Sequence, residues 1–266
     1  MSKLPGDREK LSGVSTTDLA PDLPTAQLYT GIVLYSTADP EADAMLIADG
    51  MIAWIGTADS AAVLHPDTPR IDATGCLVTP GFVDAAATAD GSLPAPHQEQ
   101  AAAARGIVLR LPGPAGTRDG VRVIVPGDEP VAYRDYVRDG IPFTFGSGGA
   151  PQAQDPWSWV RAAAHDPDPD QRVGDRAAFL AATRGGQRAA GHRHPGDLRT
   201  GLPATFVVWE PWDLTVRSEA EGVDTWSTDP RSRTPLLPDL DQGSPRALRT
   251  VIDGRIVHDS LPKAEA

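Results

Sequence analysis

At 266 residues the chain can hold one large domain or two small ones, and 40% hydrophobic content is enough for a packed core. A formal charge of −12 and a pI near 4.8 give no electrostatic footprint for nucleic acid and disfavour anionic membrane surfaces. One cysteine, Cys76, excludes an intrachain disulfide and any C-x-x-C metal or redox motif. Lysine stands only at Lys3, Lys10 and Lys263, so the basic residues are almost all arginine, a bias that goes with abundant Ala, Gly and Pro rather than with an arginine-lined site. The N-terminus lacks the apolar stretch of a secretory signal, and no apolar run approaches about 18 residues; a cytoplasmic protein is expected.

Residues 1–24 are polar, contain prolines and show no periodicity, which predicts a flexible arm. From Gln27 the runs QLYTGIVLY, AMLIADG, MIAWIGT and RIDATGCLVTP predict short strands, with Asp49-Gly50 as a tight hairpin turn. The middle offers four apolar strand candidates, at 81–87, 106–112, 120–126 and 141–147. Between and after them, helices are predicted over 97–105, 129–139, 155–165 and 174–191, with Asp155 before Pro156 as an N-cap. Near the C-terminus PATFVVWEP and LRTVIDGRIVHDS are strand-like again, the second split at Asp253-Gly254.

Two stretches carry a resemblance. LIADGMIAWIG followed by RIDATGCLVTPGFVDA resembles the amidohydrolase superfamily, whose pattern D-G-x-I-x-x-I-G … P-G-F-V-D-x-H-x-H leads from a small β-domain into the first strand of a catalytic barrel. GIPFTFGSGGAPQAQDPWSW resembles the last barrel strand of the branch related to N-substituted formamide deformylase, where the strand ends Gly-Ser-Asp. The resemblance implies metal-dependent hydrolysis of non-peptide C–N bonds. It also implies an α/β fold with a composite β-sandwich over 25–80 and 196–266 and a barrel inserted over 81–195.

At the ligand positions that the resemblance implies, this chain carries Ala86, Thr88 and Gly148. None offers the imidazole or carboxylate that a Zn²⁺ or similar ion needs. No lysine lies between Lys10 and Lys263, and His97 is the only histidine between Gly81 and Gly148, so the family's middle-strand ligands are missing too. Length agrees: that stretch holds about 70 residues, where a complete barrel domain takes roughly 250. A truncated, open remnant of the barrel is therefore expected, with strand ends near Ala86, Pro112, Pro126 and Ser147 pointing one way.

The expectation is a catalytically degenerate homologue with no metal and no cofactor, serving binding or assembly. Its uncovered strand edges favour a homo-oligomer or association with a full-length relative. A crevice at Gly146, Ser147, Gly148 and Gly149 is the expected place for a small-molecule ligand. The alternative is a hydrolase of C–N bonds with ligands rebuilt from His97, His192, His194 or a second subunit. Against it, His192 and His194 sit beside Pro195-Gly196, a turn signal that suits solvated loop histidines better than a ligand pair. His65 reads as a loop residue, His165 as a helix end and His258 as part of the last strand. Asp128 and Glu129 read as a helix N-terminus, and Asp84 as a brace for the first strand. The tryptophans, among them Trp157, Trp159, Trp209, Trp212 and Trp226, read as core and interface residues.

Overall fold

The computed structural model describes residues 26–36, 39, 41–127, 129–150, 154–192, 196–215, 217–218, 225–226 and 235–262. The expected arm at 1–24, Asp128 and His194 lie outside the described residues.

The first strands are β1 (Ala26–Thr30), β2 (Val33–Leu34), β3 (Ala44–Ala48) and β4 (Met51–Gly56). Helix α1 (Ala58–Leu64) follows, then β5 (Arg70–Asp72), β6 (Leu77–Thr79) and β7 (Phe82–Asp84). The middle comprises α2 (Pro96–Ala103), β8 (Ile107–Arg110), β9 (Gly116–Arg118), β10 (Val121–Ile124), α3 (Tyr133–Arg138) and β11 (Phe143–Phe145). Helix α4 (Pro156–Ala164) is followed by α5 (Asp175–Leu180), which continues through a π-helical turn, Ala181–Gly185, into α6 (Gly186–Ala189). The rest is β12 (Phe206–Trp209), β13 (Leu214–Thr215), β14 (Arg217–Ser218), β15 (Thr225–Trp226), β16 (Leu237–Pro238), β17 (Ala247–Ile252) and β18 (Arg255–Asp259).

Residues from both ends of the chain share one sheet. Its order is β18-β17-β12-β6-β2, so β12 lies between C-terminal β17 and N-terminal β6. A second sheet, β4-β3-β1-β5, packs on it through Tyr29, Met45, Ile47 and Ile52 from one side and Phe206, Val208 and Val251 from the other. Alternation explains why FVVW is apolar throughout. Phe206 and Val208 enter this core, while Val207 and Trp209 point to the opposite face and join Phe82, Trp157 and Phe179. Trp157 stacks on Phe179 at 5.5 Å and meets Trp209 at 5.2 Å, and the indole Nε1 of Trp209 donates to Thr79 Oγ1 at 2.9 Å. Trp157, Trp159 and Trp209 are thus core residues, as expected.

All four central strand candidates form, and among the described residues they do not close a barrel. They also differ from one continuous parallel sheet. β7 pairs with β8 in parallel, and β10 with β11 in parallel, but the two pairs belong to separate sheets joined by a bond from Ala85 N to Phe145 O at 2.9 Å. The second pair gains an antiparallel neighbour, β9, through a tight turn at Asp119-Gly120. Asp49, Asp119 and Asp253, each followed by glycine, all have positive φ at both central positions, the conformation of a two-residue hairpin turn.

The predicted helix over 174–191 is realised as one run from α5 to α6. Its Gly185-Gly186 pair lets the helix backbone press on the strands: a Cβ would fall 2.5 Å from Phe143 O at one and 2.3 Å from Val83 Cβ at the other. Asp155 caps α4 as expected, accepting from Trp157 N at 3.1 Å. Helix α1 was not legible; His65, read as a loop residue, is its C-cap, with non-helical backbone, at the start of the loop that follows. No helix among the described residues is long and apolar enough to cross a membrane.

Candidate functional site

The C-terminal ends of β7 and β11 meet where the resemblance would place a metal, and the side chains there build a packed salt-bridge network. Asp84, the last residue of β7, is fully buried. Its Oδ1 accepts from Ser147 N at 2.8 Å and Ala86 N at 3.3 Å; its Oδ2 accepts from Ser147 Oγ at 2.7 Å and Arg110 Nε at 3.4 Å. Both oxygens are therefore engaged by donors of the chain itself. Asp84 does brace β7, and it ties β7 to the segment after β11.

Arg110 is the residue that sequence reasoning missed. It ends β8 with its side chain 1% exposed, donates from Nη2 to Ala87 O at 3.2 Å, and places Nη1 3.7 Å from Glu99 Oε1 on α2. A buried guanidinium is held by opposite charge and by hydrogen bonds, and Asp84 with Glu99 supplies the charge. Partial burial, reinforced by the charge on Asp84, raises the Glu99 carboxyl above its ordinary range, while Arg110 opposes the shift.

The positions that would hold metal ligands do other work. Ala86 is fully buried in a small apolar cluster with Ala85 and Val123, flanked by Leu111 and Val125. Thr88 donates to Ser92 O at 2.8 Å and accepts from Gly113 N at 3.1 Å. Gly148 has φ +62, and a Cβ there would stand 3.2 Å from Val125 Cγ1. Neither the residue types nor their surroundings fit a metal ion, and among the described residues no three His, Cys, Asp or Glu side chains gather as a ligand set.

At the segment expected to line a crevice, Ser147 is buried in the Asp84 network, and Gly146 packs so closely that a Cβ would lie 2.5 Å from Ala86 N. Gly149 N donates to Ser147 Oγ at 3.3 Å. His97 lies in the first turn of α2, and His192 follows α6 with Nδ1 2.6 Å from Gln187 Oε1. His165 ends α4 between Asp175 at 3.6 Å and Asp241 at 3.2 Å, and His258 lies in β18. Glu129 precedes α3.

With one sheet shared by both chain ends and α/β units between them, the chain is similar in fold to solved members of the amidohydrolase superfamily. Among solved structures it is similar to an enamidase described as a new member of that superfamily, at 13% identity and a TM-score of 0.58, over 89% of this chain and 96% of the enamidase. An amidohydrolase from an environmental sample of the Sargasso Sea matches at 12% identity and 0.58, over 91% of this chain and 95% of that one. A variant of the atrazine chlorohydrolase from Arthrobacter aurescens, solved with zinc and atraton, matches at 13% and 0.55, over 90% and 97% respectively. No model of a protein family matches the chain, and no curated protein does.

Proposed function

We propose that this chain is a shortened amidohydrolase homologue in which the hydrolytic centre has been replaced by core. The described residues within 25–80 and 196–266 form a composite β-sandwich, and those within 81–195 a reduced barrel remnant. Its role is binding or assembly, with a second copy or a full-length relative covering strand edges such as that of β8, whose one described strand partner is β7. One observation carries this reading: the carboxylate of Asp84 is saturated by Ser147, Ala86 and Arg110 at the place where the resemblance puts a metal.

Restoring the lost ligands tests it. The triple variant Ala86→His/Thr88→His/Gly148→Asp is expected to show no metal-dependent hydrolysis of N-formyl or N-acyl amines. Imidazole at residue 86 has no room beside Gly146 and Val123, aspartate at residue 148 faces a left-handed backbone, and the middle-strand ligands remain absent. Zinc-stimulated turnover by that variant would overturn the proposal, because it would mean that a usable ligand set survives.

A further inference from the structure

A cavity of about 490 Å³ lies at the other end of β7 from the Asp84 network. It touches Gly81, which precedes that strand, whereas Ala86 follows it; at the rise of an extended chain the two positions are about 16 Å apart. The volume falls within the range typical of small-molecule sites, about 300–1,000 Å³. Its apolar lining includes Val108 and Leu109 of β8 together with Leu202, Pro203 and Ile252.

The two acidic residues of the lining are unequal. Asp197 is already paired with Arg184 and, at 3.3 Å, with Arg199. Asp253, in the β17–β18 turn, exchanges hydrogen bonds with the neutral Thr205: it receives the hydroxyl at 3.2 Å, and its own N–H donates to Thr205 Oγ1 at 3.0 Å. Its carboxylate charge is not offset by that partner. An apolar chamber lined by a carboxylate that makes no ion pair among the described residues favours a ligand with an apolar body and a cationic or neutral hydrogen-bond donor, and disfavours a carboxylate or phosphate.

We infer that this cavity is a binding site for a small, mainly apolar amine, amidine or amide, recognised by Asp253 in its lining. The inference rests on the binding role proposed above for its biological sense, but its failure would leave the metal and hydrolysis results for the Asp84 end untouched.

Three planar probes of nearly equal size, benzamidine, benzamide and benzoate, separate the charges in ligand-observed NMR titrations on the full chain. Benzamidine and benzamide are expected to bind saturably, benzamidine the more tightly because it carries a charge opposite to Asp253, with benzoate about tenfold weaker or more. Leu109→Trp fills the chamber and should weaken both by about tenfold, with circular dichroism verifying the fold; where that variant unfolds, Leu202→Trp serves. Asp253→Asn keeps the turn, since asparagine before glycine suits positive φ, and should abolish the preference for benzamidine over benzamide. Absence of saturable binding by all three probes, equal binding of benzoate, or unchanged affinity in a folded tryptophan variant would each overturn the inference.

Discussion

Arg110→Met is expected to destabilise the protein by about 3–5 kcal/mol, the scale found when one partner of a buried ion pair is removed. The substitution leaves the Asp84 carboxylate buried with only neutral donors, from Ser147 and Ala86. It also leaves Ala87 O without the Nη2 donor. Asp84→Asn/Arg110→Met removes both charges while keeping an oxygen for Ser147, so it should recover about 1–3 kcal/mol of the loss through pairwise coupling. Urea unfolding of the wild type, both single variants and the double variant reads this directly. An Arg110→Met stability within about 0.5 kcal/mol of wild type, the range of ordinary surface changes, would mean that the network does not hold this end of the central strands together.

Deleting residues 246–266 should abolish cooperative folding of the whole chain, N-terminal strands included. The deletion removes β17 and β18, and with them Leu248, Val251 and Leu261, all in the core that the two sheets share. Burial of three such side chains is worth about 5–9 kcal/mol, comparable with the entire stability of a domain, about 5–15 kcal/mol. Lost as well are the bond from Arg249 Nη1 to Tyr29 Oη at 3.1 Å and that from Thr250 Oγ1 to Ala103 O at 2.7 Å, which tie the C-terminal strand to β1 and α2. Circular dichroism melting checks the outcome. A truncated protein that keeps a cooperative transition at an unchanged midpoint would show that the chain ends fold independently.

The sequence disclosed elements whose signals are local. Asp49-Gly50 and Asp253-Gly254 were readable as hairpins because aspartate and glycine tolerate the positive φ that such turns demand and apolar strands flank both. Asp119-Gly120 makes the same turn, yet β9 reads Gly-Thr-Arg, without apolar alternation to reveal a strand. Helix α1 escaped for a similar reason: seven residues of ADSAAVL with one buried side chain, Ala61, carry little periodicity, and the usable cue was Thr57 as an N-cap.

That Ala86, Thr88 and Gly148 stand where the resemblance expects ligands was readable because the motif around them otherwise matches. The packing around Asp84 was not. Arg110 stands 26 positions from Asp84, and in a chain whose basic residues are nearly all arginine nothing marks it as the buried one. The two small central sheets are joined by contacts such as Ala85 N to Phe145 O, which no pattern in either strand encodes.

The central claim, that packed side chains stand where a catalytic metal would be, is tested most directly by the metal content of the purified full-length chain. After incubation with Zn²⁺, Fe²⁺ and Mn²⁺ followed by exhaustive dialysis, elemental analysis should find no stoichiometric ion, since Ala86, Thr88 and Gly148 offer no ligand and Asp84 is already saturated by donors of its own chain. About one tightly held ion per chain, lost when Asp84 is changed to alanine, would contradict the account.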